Sequence, residues 1–375
     1  MAWDEEKEEG DELPSDEWND HVDDQLSRAL SEVQEDEPSV GNEGDLWARP
    51  SVDESTINPA EVKRVIHSGG MDMPADFDES RDLVYVGVNE EELVAYDATT
   101  LDEVWTYDND YTSIDGIAYN SQDDSIVLIH SEDIEVVDPD SVETEWKEDV
   151  GVFEDGIASY TRGSTPYAAT VDFDENPTIH EWDLEEESLD SDEEHDGWAW
   201  SIGADEFEPD LDPHIIIGND DGTVDCYVGW GIYLEWSSED LHDERVRATE
   251  VDSEYAVTGS DGNKLVYFDL LGDEPSVIWE HEQHTDRVYG VSMSDEYVFS
   301  TDQDNNTLVT DRATGTVLDE VSTDLQSAGD TQYAGSHLFV GNSAGYGEDS
   351  EIFIYEFEKT AETYVSDGDQ WRRID

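Results

Sequence analysis

The sequence has one cysteine, Cys226, and only 16 lysines and arginines in 375 residues, five of them lysine. One thiol excludes an internal disulfide framework and any metal knuckle built on paired cysteines. So few cations, and none in a cluster, remove the phosphate-neutralising surface that nucleic-acid binding requires. No apolar run approaches 18 residues, so no membrane insertion is expected. The opening residues, MAWDEEKEEGDEL, carry neither a basic n-region nor an apolar h-region, and no twin-arginine pair lies near them. The expected location is the cytoplasm, or a particle released from it by lysis. No phosphate loop and no His-Glu-x-x-His pair occurs, and no enzymatic activity, cofactor or metal is expected.

What is abundant is acid. Aspartate and glutamate number 102, giving a formal net charge of −86. A disordered chain couples such charge to few aromatics, whereas this one keeps 36% apolar residues and 12 tryptophans, enough to build a core. Acid spread along the whole chain is the signature of a proteome adapted to molar salt, where the Debye length falls to about 3 Å and self-repulsion is screened. The alternative is an acidic surface for cations or basic partners.

Repetition decides the architecture. Short apolar runs begin at Leu83, Ser125, Pro166, His214, Tyr255, Tyr297 and His337, at spacings of 42, 41, 48, 41, 42 and 40 residues. Each leads through a turn rich in Asn, Asp or Gly into a second run. The second runs close on an aromatic or β-branched residue followed by an acid: Tyr96-Asp97, Val137-Asp138, Trp182-Asp183, Phe268-Asp269, Thr310-Asp311 and Tyr355-Glu356. In the fourth unit Tyr227 fills this place without the acid. A further strand follows, often bearing Trp, as at Trp105, Trp146, Trp236 and Trp279, and another precedes each hairpin. Four short strands repeated seven times predict an all-β, seven-bladed β-propeller.

The unit HTDRVYGVSMSDEYVFSTDQDNNTLVTD resembles a WD-repeat, and LVAYDATTLDEVWTYD is similar to quinoprotein-type propeller repeats. The resemblance covers about residues 62 to 365 and is degenerate, with Trp182-Asp183 the one literal Trp-Asp pair. It implies that the loop histidines of the cassettes HDERV and HTDRV join buried blade-stitching networks, His242 with Asp261 and His284 with Asp302 or Asp304. Phe268 and Thr310 stand where the family has Trp. Val246 and Val288 would start innermost strands. Ring closure needs a strand from the far terminus, since an open ring leaves a seam. VKRVIH from Val62, beside EIFIYEF, is favoured over AETYVSD from Ala361.

Residues 1–60 lie outside the repeat, the propeller being assigned to 61–365 and a tail to 366–375. Trp18, Val22, Leu26, Leu30 and Val33 fall at helical spacing behind Ser15, which predicts one amphipathic helix over about 16–34 in an acidic N-terminal arm. Trp3 and Trp47 add apolar anchors. The arm is expected to dock on its own propeller or on another subunit. The segment DFDENPTIHEWD at 172–183 imitates a calcium loop, but Pro177 replaces the turn glycine and Asp183 the final glutamate, so no site is expected there. Trp198, Trp200, Trp230 and Trp236 are expected to pack a blade core, with stacking on a glycan or a partner side chain as the alternative.

The function expected from this reading is non-catalytic protein interaction and assembly, with partners among other protein subunits, a second copy of the chain, or a host-surface protein or glycan. The setting expected is a structural protein on the capsid vertex or tail of a virus of halophilic archaea. The rivals are a cytoplasmic WD-repeat-like scaffold of a halophilic cell and a metal- or cofactor-binding propeller enzyme.

Overall fold

The computed structural model describes residues 46–50, 60–68, 361–366, 371–374 and 74–356, the last except for 89–91, 109–113, 131–132, 150–153, 173–176, 196, 206–212, 229–231, 253, 273, 305, 323–327 and 343–348. Among the described residues all regular structure is β. Seven antiparallel sheets of four strands form the blades of a propeller, covering residues 75–108, 116–149, 154–194, 199–238, 246–281, 288–322 and 328–356, the seventh completed by 60–68. They are numbered 1 to 7 in that order.

The apolar runs are the second strands of the blades. Leu83–Val88 and Ser125–His130 are buried at every position, because a blade is covered on both faces by its neighbours and its inner strands need apolar side chains pointing both ways. Ile216, Cys226 and Trp236 of blade 4, for example, pack with Val251, Ala256 and Phe268 of blade 5. Each such side chain contributes about 1.5–3 kcal/mol on burial. The outermost strands Glu103–Asp108, Glu143–Asp149 and Ser188–Glu194 are mostly exposed and carry much of the acid.

The acid that ends the third strand of blades 1, 2, 3, 5 and 6 caps the following turn. Asp97 Oδ1 accepts from the backbone N–H groups of Thr99 and Thr100 at 3.1 and 2.6 Å. Asp138, Asp269 and Asp311 make the same side-chain-to-backbone closure, the local bond that makes Asp a turn former. Every outermost strand also carries a one-residue bulge at the same place, at Val62, Val104, Glu145, Asp190, Glu235, Ile278 and Leu318. Bulges increase twist and spoil an exposed edge for pairing with another chain.

The ring is closed by Ala60–Ser68, paired antiparallel with Asp349–Glu356 from Ala60 opposite Glu356 to Ser68 opposite Asp349. Val84, Val94 and Tyr96 of blade 1 pack with Phe339, Ile352 and Ile354 of blade 7, and Lys63 on the closing strand donates to the Leu101 carbonyl of blade 1. The seam thus runs through VKRVIH as expected. Ala361–Ser366, assigned from sequence to the end of the propeller and the tail, instead pairs with Leu46–Pro50 and with Trp371–Ile374 in a three-stranded antiparallel sheet. That sheet belongs to a separate unit of residues 1–57 and 358–375; the propeller unit spans 58–357. Trp47 is opposite Tyr364 in its register. The helix expected over 16–34, with Trp3, Trp18, Val22, Leu26, Leu30 and Val33, lies outside the described residues.

The paired cassettes are inter-blade joints. Val246 and Val288 open the innermost strands of blades 5 and 6 and are fully buried. Each seats over a glycine of the preceding blade: a Cβ at Gly218 would meet Val246 Cγ1 at 2.5 Å, and one at Gly259 would meet Val288 Cγ1 at 2.4 Å. The carbonyls of Arg245 and Arg287 accept from Asp261 and Gln303, tying each cassette to its own blade's turn. Gly259→Ala should therefore destabilise the propeller by about 1–3 kcal/mol through overpacking, read as a lower thermal midpoint, and Val288→Ala in the same chain should recover part of it. Equal midpoints for the wild type and Gly259→Ala would show that the joint is not tight.

Candidate functional site

The innermost strands surround a cavity of about 1110 Å³, the channel of the propeller. Where these strands begin, blades 4, 5 and 6 each carry a bulge, at Trp200, Arg247 and Tyr289. All three side chains line the channel. The Arg247 guanidinium lies 5.0 Å from the Trp200 ring and 4.9 Å from the Tyr289 ring. Arg245 stacks on Trp200 at 3.8 Å. Asp261 holds Arg247 through two oxygens and has Arg287 at 3.7 Å, while Asp220 pairs with Arg245. Three of the 16 basic residues thus converge beside two aromatic rings on one rim. Cation–π contacts of this kind are worth about 0.5–2 kcal/mol each and preorganise the side chains. Trp198, 40% exposed, stands in the loop that leads into the same strand of blade 4.

The channel wall is acidic. Burial raises the Asp76 carboxyl to about 6, with Asp78 adding to the rise and hydrogen bonds from the Tyr119 and Phe77 N–H groups opposing it. Burial also raises Glu250 well above the usual range, as do Asp76, Asp330, Asp205 and Asp252. These groups repel one another when ionised. Arg312 offsets part of this, binding Asp252 and donating to the Ser294 carbonyl at 2.9 Å.

Histidine networks tie the loops that lead into blades 4, 5 and 6 to those blades' own strands. His284 Nε2 lies 2.7 Å from Ser300 Oγ and its Nδ1 lies 3.3 Å from Asp302 Oδ2. Asp302 also accepts from the Thr285 and Asn306 N–H groups; burial pushes its carboxyl up, but these partners and His284 outweigh that and hold it at about 2. Asp304 reaches only the Thr285 hydroxyl, at 3.4 Å, among its described contacts. His242 pairs differently from the sequence expectation: its Nε2 is 2.8 Å from Thr258 Oγ1, whereas Asp261 turns to Arg247. The reason is competition, since a full guanidinium charge is a better partner for Asp261 than a neutral imidazole. Burial, helped by Lys264, lowers His242 to about 3, so it stays neutral.

One network was missed in the sequence. His195 precedes blade 4 as His242 precedes blade 5, with Nδ1 at 2.7 Å from the Tyr227 hydroxyl and Nε2 at 2.6 Å from Asn219 Oδ1. Asn219 in turn donates to Asp225. The signal was its position 47 residues before His242, hidden because the connection between the first two strands of blade 4, from Asp205 to His214, is longer than its counterparts in blades 5 and 6 and no Arg-Val follows. Tyr227 thereby takes the acidless fourth-unit slot as a hydroxyl donor or acceptor. In blade 3 the tryptophan of the literal Trp-Asp pair is anchored, Trp182 Nε1 donating to Thr170 Oγ1 at 3.1 Å.

The tryptophan group divides. Trp236 packs in the core, edge-on to Phe268, whereas Trp200 lines the channel and Trp198 is exposed, and Trp230 lies outside the described residues. In the calcium-like segment Asp172 accepts from the Thr178 N–H at 2.8 Å, spanning its own turn. The pentapeptide Gly-Asn-Ser-Ala-Gly at 341–345 matches the Gly-x-Ser-x-Gly pattern literally. Gly341 and Asn342 end the strand His337–Asn342, and Ser343, Ala344 and Gly345 lie outside the described residues.

Fold and site define a WD-repeat-like, seven-bladed β-propeller. No family model matches the chain, and no curated protein matches it. Among solved structures, the β-propeller domain of Cps50 (Swd1) from Myceliophteria thermophila aligns with a TM-score of 0.66 over 80% of this chain and 100% of that domain, at 10% identity. At that identity the likeness is one of fold.

Glu250 gives a pH test. Its folded pKa lies above the unfolded value near 4.5, so the protonated carboxyl is tolerated at low pH and stability is lost as pH rises through the folded value. Glu250→Gln should raise the thermal midpoint at pH 8 and change it little near pH 4. An equal effect at both values would remove the electrostatic account.

Proposed function

We propose that the protein is a non-catalytic interaction and assembly subunit whose working surface is the rim of Trp200, Arg247 and Tyr289. The observation that carries this reading is the rim's composition. Tryptophan, tyrosine and arginine are the residues that dominate interface hot spots, and here they are preorganised on rigid strands in a chain otherwise covered with acid. A partner that offers a carboxylate or an acidic turn to Arg247, with an apolar group against Trp200, fits the chemistry.

The wider setting follows the charge. Self-repulsion at −86 is tolerable only where salt screens it, which supports a halophilic host. Within it, we favour a virion structural role, at a capsid vertex or tail with the propeller turned to host or partner, over a cytoplasmic scaffold. The arm of residues 1–60, with its tryptophans, would supply the anchor. Lowering salt below about 1 M should depress the thermal midpoint by several degrees; a midpoint independent of salt would count against the halophilic reading.

Native mass in molar salt tests assembly. The full-length chain should be oligomeric by light scattering and the chain lacking residues 1–55 monomeric, with an unchanged propeller β signature. Two monomers would sink self-assembly through the arm. In extracts of infected cells, sedimentation with particles at a fixed ratio to a capsid or tail protein supports the virion setting, and its absence favours the cytoplasmic scaffold. Trp200→Ala with Arg247→Ala should release the protein from its bound fraction while leaving it folded; retention of the double variant would move the working surface elsewhere.

A further inference from the structure

We propose that blade 4 holds a single-ion site for a thiophilic divalent cation of the zinc type, formed by His214, Cys226 and Glu235. The three come from the second, third and outermost strands of one blade, and their ligand atoms all lie within 4.8 Å of one another. His214 Nε2 is 3.8 Å from Glu235 Oε2. Imidazole nitrogen, thiolate sulfur and carboxylate oxygen are the donor set of tetrahedral zinc, whose bond lengths of about 2.0–2.3 Å bring ligand atoms to comparable separations. The thiol directs the choice of metal, since soft sulfur ligands favour zinc over the calcium and magnesium that carboxylates attract.

Strand geometry explains the convergence. His214 and Cys226 share a sheet face, because His214 and Ile216 are two apart on one strand and Ile216 pairs with Cys226. Glu235 is the bulge residue of the outermost strand, between Leu234 opposite Tyr227 and Trp236 opposite Cys226. A bulge re-aims one side chain, and here it places a carboxylate beside the other two.

The repeat supplies an internal control. The positions matching Glu235 hold Val62, Val104, Glu145, Asp190, Ile278 and Leu318. Those matching Cys226 in blades 1, 2, 5, 6 and 7 hold Ala95, Val136, Tyr267, Val309 and Ile354. Those matching His214 there hold Leu83, Ser125, Tyr255, Tyr297 and His337. In blade 3 the corresponding residues are Tyr167, Glu181 and Asp190, and Glu181 is taken by Arg162. Blade 4 alone unites an imidazole, a thiol and a carboxylate at these three places, so the blade architecture does not itself require them.

Burial gives the site two sides. Cys226 is fully buried against the blade 5 interface, whereas Glu235 is exposed. Three protein ligands with one open face leave the fourth position to water. Binding replaces the thiol proton by the metal, so one proton leaves for each ion bound: RSH + M²⁺ gives RS–M⁺ + H⁺. A chain with 102 carboxylates collects divalent ions nonspecifically, so the readout must report sulfur.

The test is titration of the full chain, in molar salt with reductant, with Co²⁺ alone. One equivalent should bring up the near-ultraviolet thiolate-to-cobalt charge-transfer band with tetrahedral d–d bands, and one equivalent of Zn²⁺ should abolish both. Cys226→Ser should remove the charge-transfer band. Glu235→Gln, at an exposed position that tolerates change, and His214→Gln should each weaken binding about tenfold or more, as loss of even an outer-shell partner does at metal sites. Cobalt bound without a charge-transfer band, or an unchanged band in Cys226→Ser, would overturn the site.

Discussion

No blade of this protein can stand alone, because its inner strands are apolar on both faces and each face is covered only by a neighbouring blade. Leu83–Val88 and Ser125–His130 have no exposed position, and a free sheet would present both faces to water. The ring is the solution: stacking covers both faces of every blade only if the last blade meets the first. The closing strand Ala60–Ser68 completes the last blade, and its Val65 packs against the core shared by blades 1 and 7. The glycine and valine joints at Gly218–Val246 and Gly259–Val288 set how closely successive blades approach.

The extreme charge is arranged around this ring with little interference. Acids crowd the outermost strands and turns, where water reaches them, while Arg81, Arg245 and Arg312 tie neighbouring blades. Every arginine whose side chain is described, Arg81, Arg162, Arg245, Arg247, Arg287 and Arg312, faces at least one carboxylate. Arg81 alone reaches Asp78, Asp124 and Asp140, spanning the first two blades. Exposed pairs are worth about 0–1 kcal/mol individually, but they also relieve repulsion among acids that the fold brings together. The rim of Arg245, Arg247 and Arg287 is where three such ties coincide with aromatic rings.

The candidate site was only partly legible. Blade number, strand order and the seam could be read from a period near 42 and from VKRVIH, since strand burial and edge closure act through local pattern. His284 with Asp302 was readable because the cassette recurs, but His195 was hidden by the longer first hairpin of blade 4. The pairing of Asp261 with Arg247 rather than His242 depends on a strand side chain and a loop side chain competing in space. Likewise, Trp200 and Trp236 read alike as residues, and only their strands, one bulged at the channel and one packed beneath blade 5, separate a rim residue from a core residue.

Composition and periodicity, by themselves, determined that this chain is an acidic ring of seven four-stranded units, because turn caps, apolar runs and repeat length are properties of neighbours in sequence. The tertiary structure alone decided which side chains meet. His214, Cys226 and Glu235 have no recognisable spacing, and Trp200, Arg247 and Tyr289 come from three blades. A bulge on an outer strand or an inner one turns a residue by one position across the sheet, and that rotation, set by pairing with partners far along the chain, leaves no mark in the sequence around it.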